Sequence, residues 1–130
     1  MYDSGVAAVR VANRRGYIIV LPFKGQQVWR AVFDQHELIM RNLFDEPEAT
    51  NEFLKTYGGF MIHCGLTAMG NPSPEDTHVI HGELPCAPYR NAALLCGEDA
   101  GGRYVTVTGE YEFKIGFENA YRFRPECKLY

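Results

Sequence analysis

The sequence contains no apolar run approaching the roughly 18 residues a helix needs to span a bilayer. It has no excess of positive charge either. The formal net charge is -3, so neither a nucleic-acid footprint nor a polybasic membrane patch is expected. The N-terminal stretch "MYDSGVAAVRVANRRGY" lacks a charged segment followed by an apolar one. No secretory signal is therefore read there, and a cytoplasmic setting is expected. The cysteines Cys64, Cys86, Cys96 and Cys127 form no CxxC pair. That argues against a zinc knuckle, and in a reducing compartment the thiols should be free. There is no internal repeat, no low-complexity segment and no histidine after His81.

What is present points to β-structure. The 130 residues are 46% hydrophobic and 22% charged, which suits one globular domain with a core of its own. Thirteen glycines, seven prolines, eight tyrosines and eight phenylalanines favour strands joined by many turns. Short apolar runs alternate with turn residues: "GVAAVRVA" (5–12), "YIIVLPF" (17–23), "QVWRAVF" (27–33) and "LIMRNLF" (38–44). Such spacing predicts an antiparallel meander. Within 27–33, the set Gln27, Trp29, Ala31 and Phe33 is expected to face inward, opposite Val28, Arg30 and Val32.

The next stretch changes character. Thr50 or Asn51 is placed to cap a short helix that Gly58 and Gly59 end. "FMIHCGL" (60–66) reads as a buried strand, and "TAMGNPSPEDT" (67–77) as loop. "RNAALLCGE" (90–98) and "RYVTVTGEYEF" (103–113) flank "DAGG" as a hairpin. "ENAYRFRPECKLY" is a final alternating run. The expected fold is a single all-β domain over 1–130, an antiparallel sandwich or half-barrel with little helix. A strand that runs to Tyr130 leaves an open edge, which favours self-association.

The chemistry-bearing residues crowd into "GGFMIHCGLTAMGNPSPEDTHVIHGELPCAPY", from Gly58 to Tyr89. It holds His63, His78 and His81 with Cys64 and Cys86. A metal site of the cupin type would use His63, His78, His81 and Glu83. On an extended strand, however, residues three apart point to opposite faces, so a turn at 78–81 would be required. Cys64 reads as a small buried hydrophobe, because adjacent His63 would point away from it. In "HGE" (81–83), the imidazole of His81 can donate a hydrogen bond or carry a proton, while Gly82 lets the backbone turn tightly.

This same string resembles the central signature of the aldose 1-epimerase (galactose mutarotase)-like superfamily. The likeness lies in a "GG(x)4CGL" strand, a Pro/Gly-rich loop and a following "HG". The opening "SGVAAVRVANRRGYIIVLPFKGQQVWRAVFDQHELIMRNLF" is similar to that group's first meander, and the likeness extends over nearly the whole chain. It implies a supersandwich fold and an enzyme that opens and recloses a pyranose ring by general acid–base chemistry. The "HG" histidine of the family maps onto His81, implying sugar binding and a share in proton transfer.

His63, Glu83 and Arg90 are taken as further sugar contacts, with Arg30 as an alternative to Arg90. Trp29 and Tyr89 are aromatic stackers or, alternatively, core. The family's second histidine and its base glutamate lie in a later half that has no counterpart here. Many relatives also carry a basic residue where this chain has Glu83. The implied protein is therefore a partial or shortened supersandwich that binds a sugar or sugar derivative and forms a homodimer or another self-associated state. No metal and no cofactor are expected. The alternatives are a non-catalytic carbohydrate-binding or assembly module and a small metal-dependent β-barrel enzyme.

Overall fold

A computed structural model describes all residues, 1–130. It contains eight strands in two antiparallel sheets and one 3-10 turn. The first sheet is a meander of β1 (Val9–Ala12), β2 (Gly16–Leu21), β3 (Gln27–Phe33) and β4 (His36–Glu37). The second holds β5 (Arg90–Asp99), β6 (Gly102–Lys114), β7 (Ala120–Phe123) and β8 (Glu126–Leu129). Strand β6 is its spine, with β5 on one side. On the other side, β7 pairs with 111–114 and β8 with 105–108. Thus β7 and β8 are one strand interrupted at Arg124–Pro125, where proline cannot donate to the ladder. The sheets are open rather than closed into a barrel. The all-β, sandwich-like expectation holds.

The core lies where the two sheets face each other. Val11, Ile18, Val20, Val28 and Ala31 meet Val107, with Val105, Cys127 and Leu129 at the margin. The other side of the first sheet is also covered, because Leu21 and Trp29 pack with Val6 and, at the edges, Tyr2 and Phe44. Double coverage explains why "YIIVL" is apolar without alternation. The alternation expected in β3 breaks for a local reason. Ile19 pairs with Arg30 but Val20 pairs with Val28, so Trp29 is an extra, bulged residue. The bulge puts Val28 and Ala31 on one face and sends Trp29 to the other.

Two expected strands are not strands. In 38–44, only Leu38 stays attached, donating to the Ala31 carbonyl at 2.9 Å. The Asn42 side chain then accepts from the Phe44 amide at 2.7 Å, a local turn that takes the chain off the sheet. In 60–66, a single bridge joins Met61 to Val28. The chain then leaves through Gly65, which has φ +91. The expected helix after Thr50 is only the 3-10 turn Phe53–Thr56, and Glu52 at its start makes no side-chain cap. The segment 38–89 is thus mostly irregular, and it forms the site.

The segment is held against the turn between β2 and β3. The Gly25 amide donates to the Ala87 carbonyl at 2.8 Å. A Cβ on Gly25, at φ +59, would lie 2.0 Å from the Pro85 carbonyl, so only glycine lets the two backbones approach this closely. Buried Gln27 donates to the same Pro85 carbonyl at 2.7 Å, and the Lys24 ammonium donates to the Thr50 carbonyl.

Candidate functional site

A hollow of about 530 Å³ lies between the 3-10 turn, the 78–88 stretch and β6. Its chemistry-bearing walls are Asn51, Phe53, His78, Glu83, Cys86 and Tyr111. Glu83 is the best-defined group. Its carboxylate accepts from the Leu66 amide at 2.9 Å, the Thr67 amide at 3.2 Å and the Thr67 hydroxyl at 2.5 Å. The Tyr121 hydroxyl of β7 donates to it as well. Partial burial opposes the charge, but the bonds from Thr67 and Tyr121 outweigh it and hold the carboxyl below its usual range. Burial first, and then the Glu83 charge, pushes the Tyr121 and Tyr111 phenols up. The Glu83 anion therefore sits beside neutral phenols, of which Tyr111 lines the hollow.

His81 does not line this hollow. A turn does form at Ile80–His81, but His81 takes φ +61 and Gly82 φ +77. The His81 ring stands edge-on to Phe53 at 5.7 Å between centroids, and its Nδ1 is buried without a protein partner. A Cβ on Gly82 would meet the Ala68 carbonyl at 2.5 Å. The "HG" pair therefore turns the chain against the 65–70 loop. The Gly65 amide donates to the His81 carbonyl at 2.9 Å, and the His81 amide donates to that of Gly70 at 2.9 Å.

His63 lies elsewhere, in an aromatic row. Its ring is parallel to Tyr89 at 6.4 Å and edge-on to Phe123 at 5.3 Å, and its Nε2 meets the Gln26 amide oxygen at 3.4 Å. Burial pushes the His63 imidazole below its ordinary value. Tyr89 stacks in turn on Tyr111 at 5.9 Å. With Tyr89 at 3% and Trp29 at 2% exposure, both are core rather than stacking platforms.

Arg90 lines a second hollow of about 360 Å³ with Glu110 and Glu112. Pro88 and Tyr111 border both hollows. Arg30 pairs with Glu37 at 3.0 Å and borders a third hollow.

Of the residues expected from the sequence, Glu83 and His78 share a cavity, while His63, His81 and Arg90 lie outside it. No three His, Cys, Asp or Glu side chains converge on a point. The sheets are also open, not closed into the barrel that the metal-dependent alternative named. Tyr111, Tyr121, Thr67 and Phe53 were missed. Tyr121 had shown only strand alternation and Tyr111 only a place in the expected hairpin, and nothing in the sequence ties them to Glu83.

The fold and cavity define an all-β, two-sheet protein with an apolar-walled cleft that carries the Glu83 carboxylate. No family model, curated protein or solved structure matches the chain.

Proposed function

We infer that the chain binds a carbohydrate in the cleft bordered by Glu83, His78 and Tyr111, and that it binds without acid–base catalysis. The observation that carries the reading is the fixed Glu83 carboxylate beside Tyr111 in a hollow of about 530 Å³. That volume lies within the range of small-molecule sites. A sugar presents hydroxyl donors on its rim and C–H groups on its faces. A carboxylate that is already organised accepts from the hydroxyls, and a phenol ring covers a face.

The non-catalytic part of the reading follows from the positions of the acid–base groups. Ring opening needs a base with a pKa near the working pH and an acid across the sugar from it. Glu83 is held too acidic for that base, His81 is turned towards Phe53, and His63 is packed among aromatics. Of the histidines, His78 alone lines the wall, with Nδ1 at 2.8 Å from the Val79 carbonyl. Kinship with the aldose 1-epimerase-like proteins belongs to this proposal and rests on the sequence resemblance. A cytoplasmic setting likewise rests on the sequence; no helix is long and apolar enough to cross a membrane.

The test is a monosaccharide panel followed by NMR. At least one sugar should shift the Tyr111 and His78 resonances, and Tyr111→Ala should abolish the shift. Silence across the whole panel overturns the binding reading. Polarimetry of a fresh α-sugar should match the buffer blank. An acceleration lost in His81→Ala would restore the catalytic reading instead.

A further inference from the structure

Strand β5 is bonded on one edge only. Arg90 and Ala93–Asp99 pair with β6, a bulge at Asn91–Ala92 interrupts the ladder between them, and no strand lies on the other side of β5. Natural edges are usually blunted by lysine, proline, a central charge or a bulge. Between Arg90 and Glu98, β5 reads "NAALLCG", with no lysine, proline or charge, and its bulge lies towards one end, at Asn91–Ala92, leaving Ala93–Gly97 regular. Leu94 and Leu95 point to opposite faces, and they are 54% and 51% exposed. Leu94 lies across the ladder from Val107, and Cys96 across from Val105. Val107 is core, so the Leu94–Cys96 face extends the core surface past the edge of the first sheet.

The charges at the two ends of β5 differ in sign and are incompletely matched within the chain. Arg90 lies opposite Glu110, but that carboxylate is already held by Arg124 at 2.6 Å and Arg122 at 3.7 Å. At the other end, Asp99 is engaged by Lys128 at 3.2 Å and by the Tyr130 hydroxyl at 2.9 Å. Glu98 has only Arg103 at 3.7 Å, with both side chains mostly in solvent.

We propose that β5 is the surface through which two copies of this chain pair, edge to edge and antiparallel about Leu94. A two-fold axis there sets Leu94 against its own copy and Ala93 against Leu95 of the partner subunit. Arg90, beyond the bulge at Asn91–Ala92, is then brought to the end of the pair where Glu98 of the partner subunit lies. A parallel, in-register pairing would oppose arginine to arginine and glutamate to glutamate, which the charge pattern disfavours. The antiparallel arrangement satisfies the open backbone groups, covers both leucines and supplies each unmatched charge with a partner. A two-fold contact of this kind is self-complementary by construction. It is independent of what the cleft binds.

Analytical ultracentrifugation of the full chain over the micromolar range tests the proposal. The native protein should sediment as a reversible dimer. L94K places two ammonium groups at the axis and should give a monomer with unchanged circular dichroism. R90E should weaken dimerisation about tenfold, because it opposes like charges at two symmetric positions. The double variant R90E/E98R should restore it. L94C in a C96S background should form a disulfide-linked dimer on mild oxidation, which reads the axis even if L94K does not fold. A native protein that stays monomeric overturns the proposal. So does a dimer indifferent to L94K and R90E, or the absence of the L94C cross-link.

Discussion

The two sheets and the 38–89 segment are stable for different reasons. In the sheets, apolar side chains from alternate positions meet across the interface, and the backbone satisfies itself in ladders. In 38–89, few residues reach a ladder, and single polar side chains anchor the backbone. Gln27 holds Pro85, Lys24 holds Thr50, Asn42 holds Gly58 at 3.2 Å, and Glu83 gathers Leu66, Thr67 and Tyr121. The contrast indicates where function can sit. A ladder tolerates little change in shape, whereas a polar-anchored segment can shape a cleft at the risk of opening locally.

The largest effect should separate the two regions. Trp29→Ala removes a buried side chain of the sheet and should cost about 3–5 kcal/mol, lowering the denaturant midpoint for the whole molecule. Gly82→Ala should act on the segment alone. Its Cβ would lie 2.5 Å from the Ala68 carbonyl at φ +77, at a cost above about 1 kcal/mol. Hydrogen exchange should accelerate at 65–70 and 81–84 while β2 and β3 keep their protection. Equal loss in both regions would erase the distinction.

Glu83→Gln weakens four acceptor contacts at a partly solvated site, so about 1 kcal/mol is expected. The acid dependence follows the direction of its shift. A carboxyl held below its unfolded value lends stability above that value and loses it as pH falls through the folded one. Local opening of 65–67 should therefore increase only in acid, and the Gln variant should not show that dependence.

His63 tests the boundary between the regions. Its imidazole is also depressed, by burial. Stability should be full above about pH 6.5 and fall as acid charges the ring. His63→Phe should flatten thermal melting between neutral and mildly acidic pH.

The smallest effect belongs to the ladder. Thr106 is 3% exposed, and its hydroxyl has no protein partner. Thr106→Val should therefore be neutral or stabilising by up to about 1 kcal/mol. A marked loss would show a hidden polar role.

The same contrast governs what the sequence reveals. β2, β3, β5 and β6 were legible because apolar periodicity and the turns "NRRG" and "DAGG" are local signals. The bulge at Trp29 was not legible, since it depends on the register against Ile19 and Val20. "FMIHCGL" has the composition of a buried strand, yet it forms one bridge because its neighbours are glycines and the β3 edge is already partly occupied. At the site, Glu83 and His78 could be singled out by residue type. The donors that define Glu83 could not, since Thr67 lies 16 residues away and Tyr121 lies 38 away. His81 was read as facing a ligand because "HG" permits a tight turn, but the direction of that turn is set by packing on Phe53.

Pro125 has a consequence for assembly. The second sheet has two borders, and the border opposite β5 is split into two four-residue pieces. At the gap between them, the Pro125 carbonyl accepts from the Gln26 amide at 3.3 Å. A border so short and already engaged offers no template for another chain. Within the second sheet, β5 is therefore the border open to another strand, so a copy joined along it would leave that sheet with no further long edge to extend.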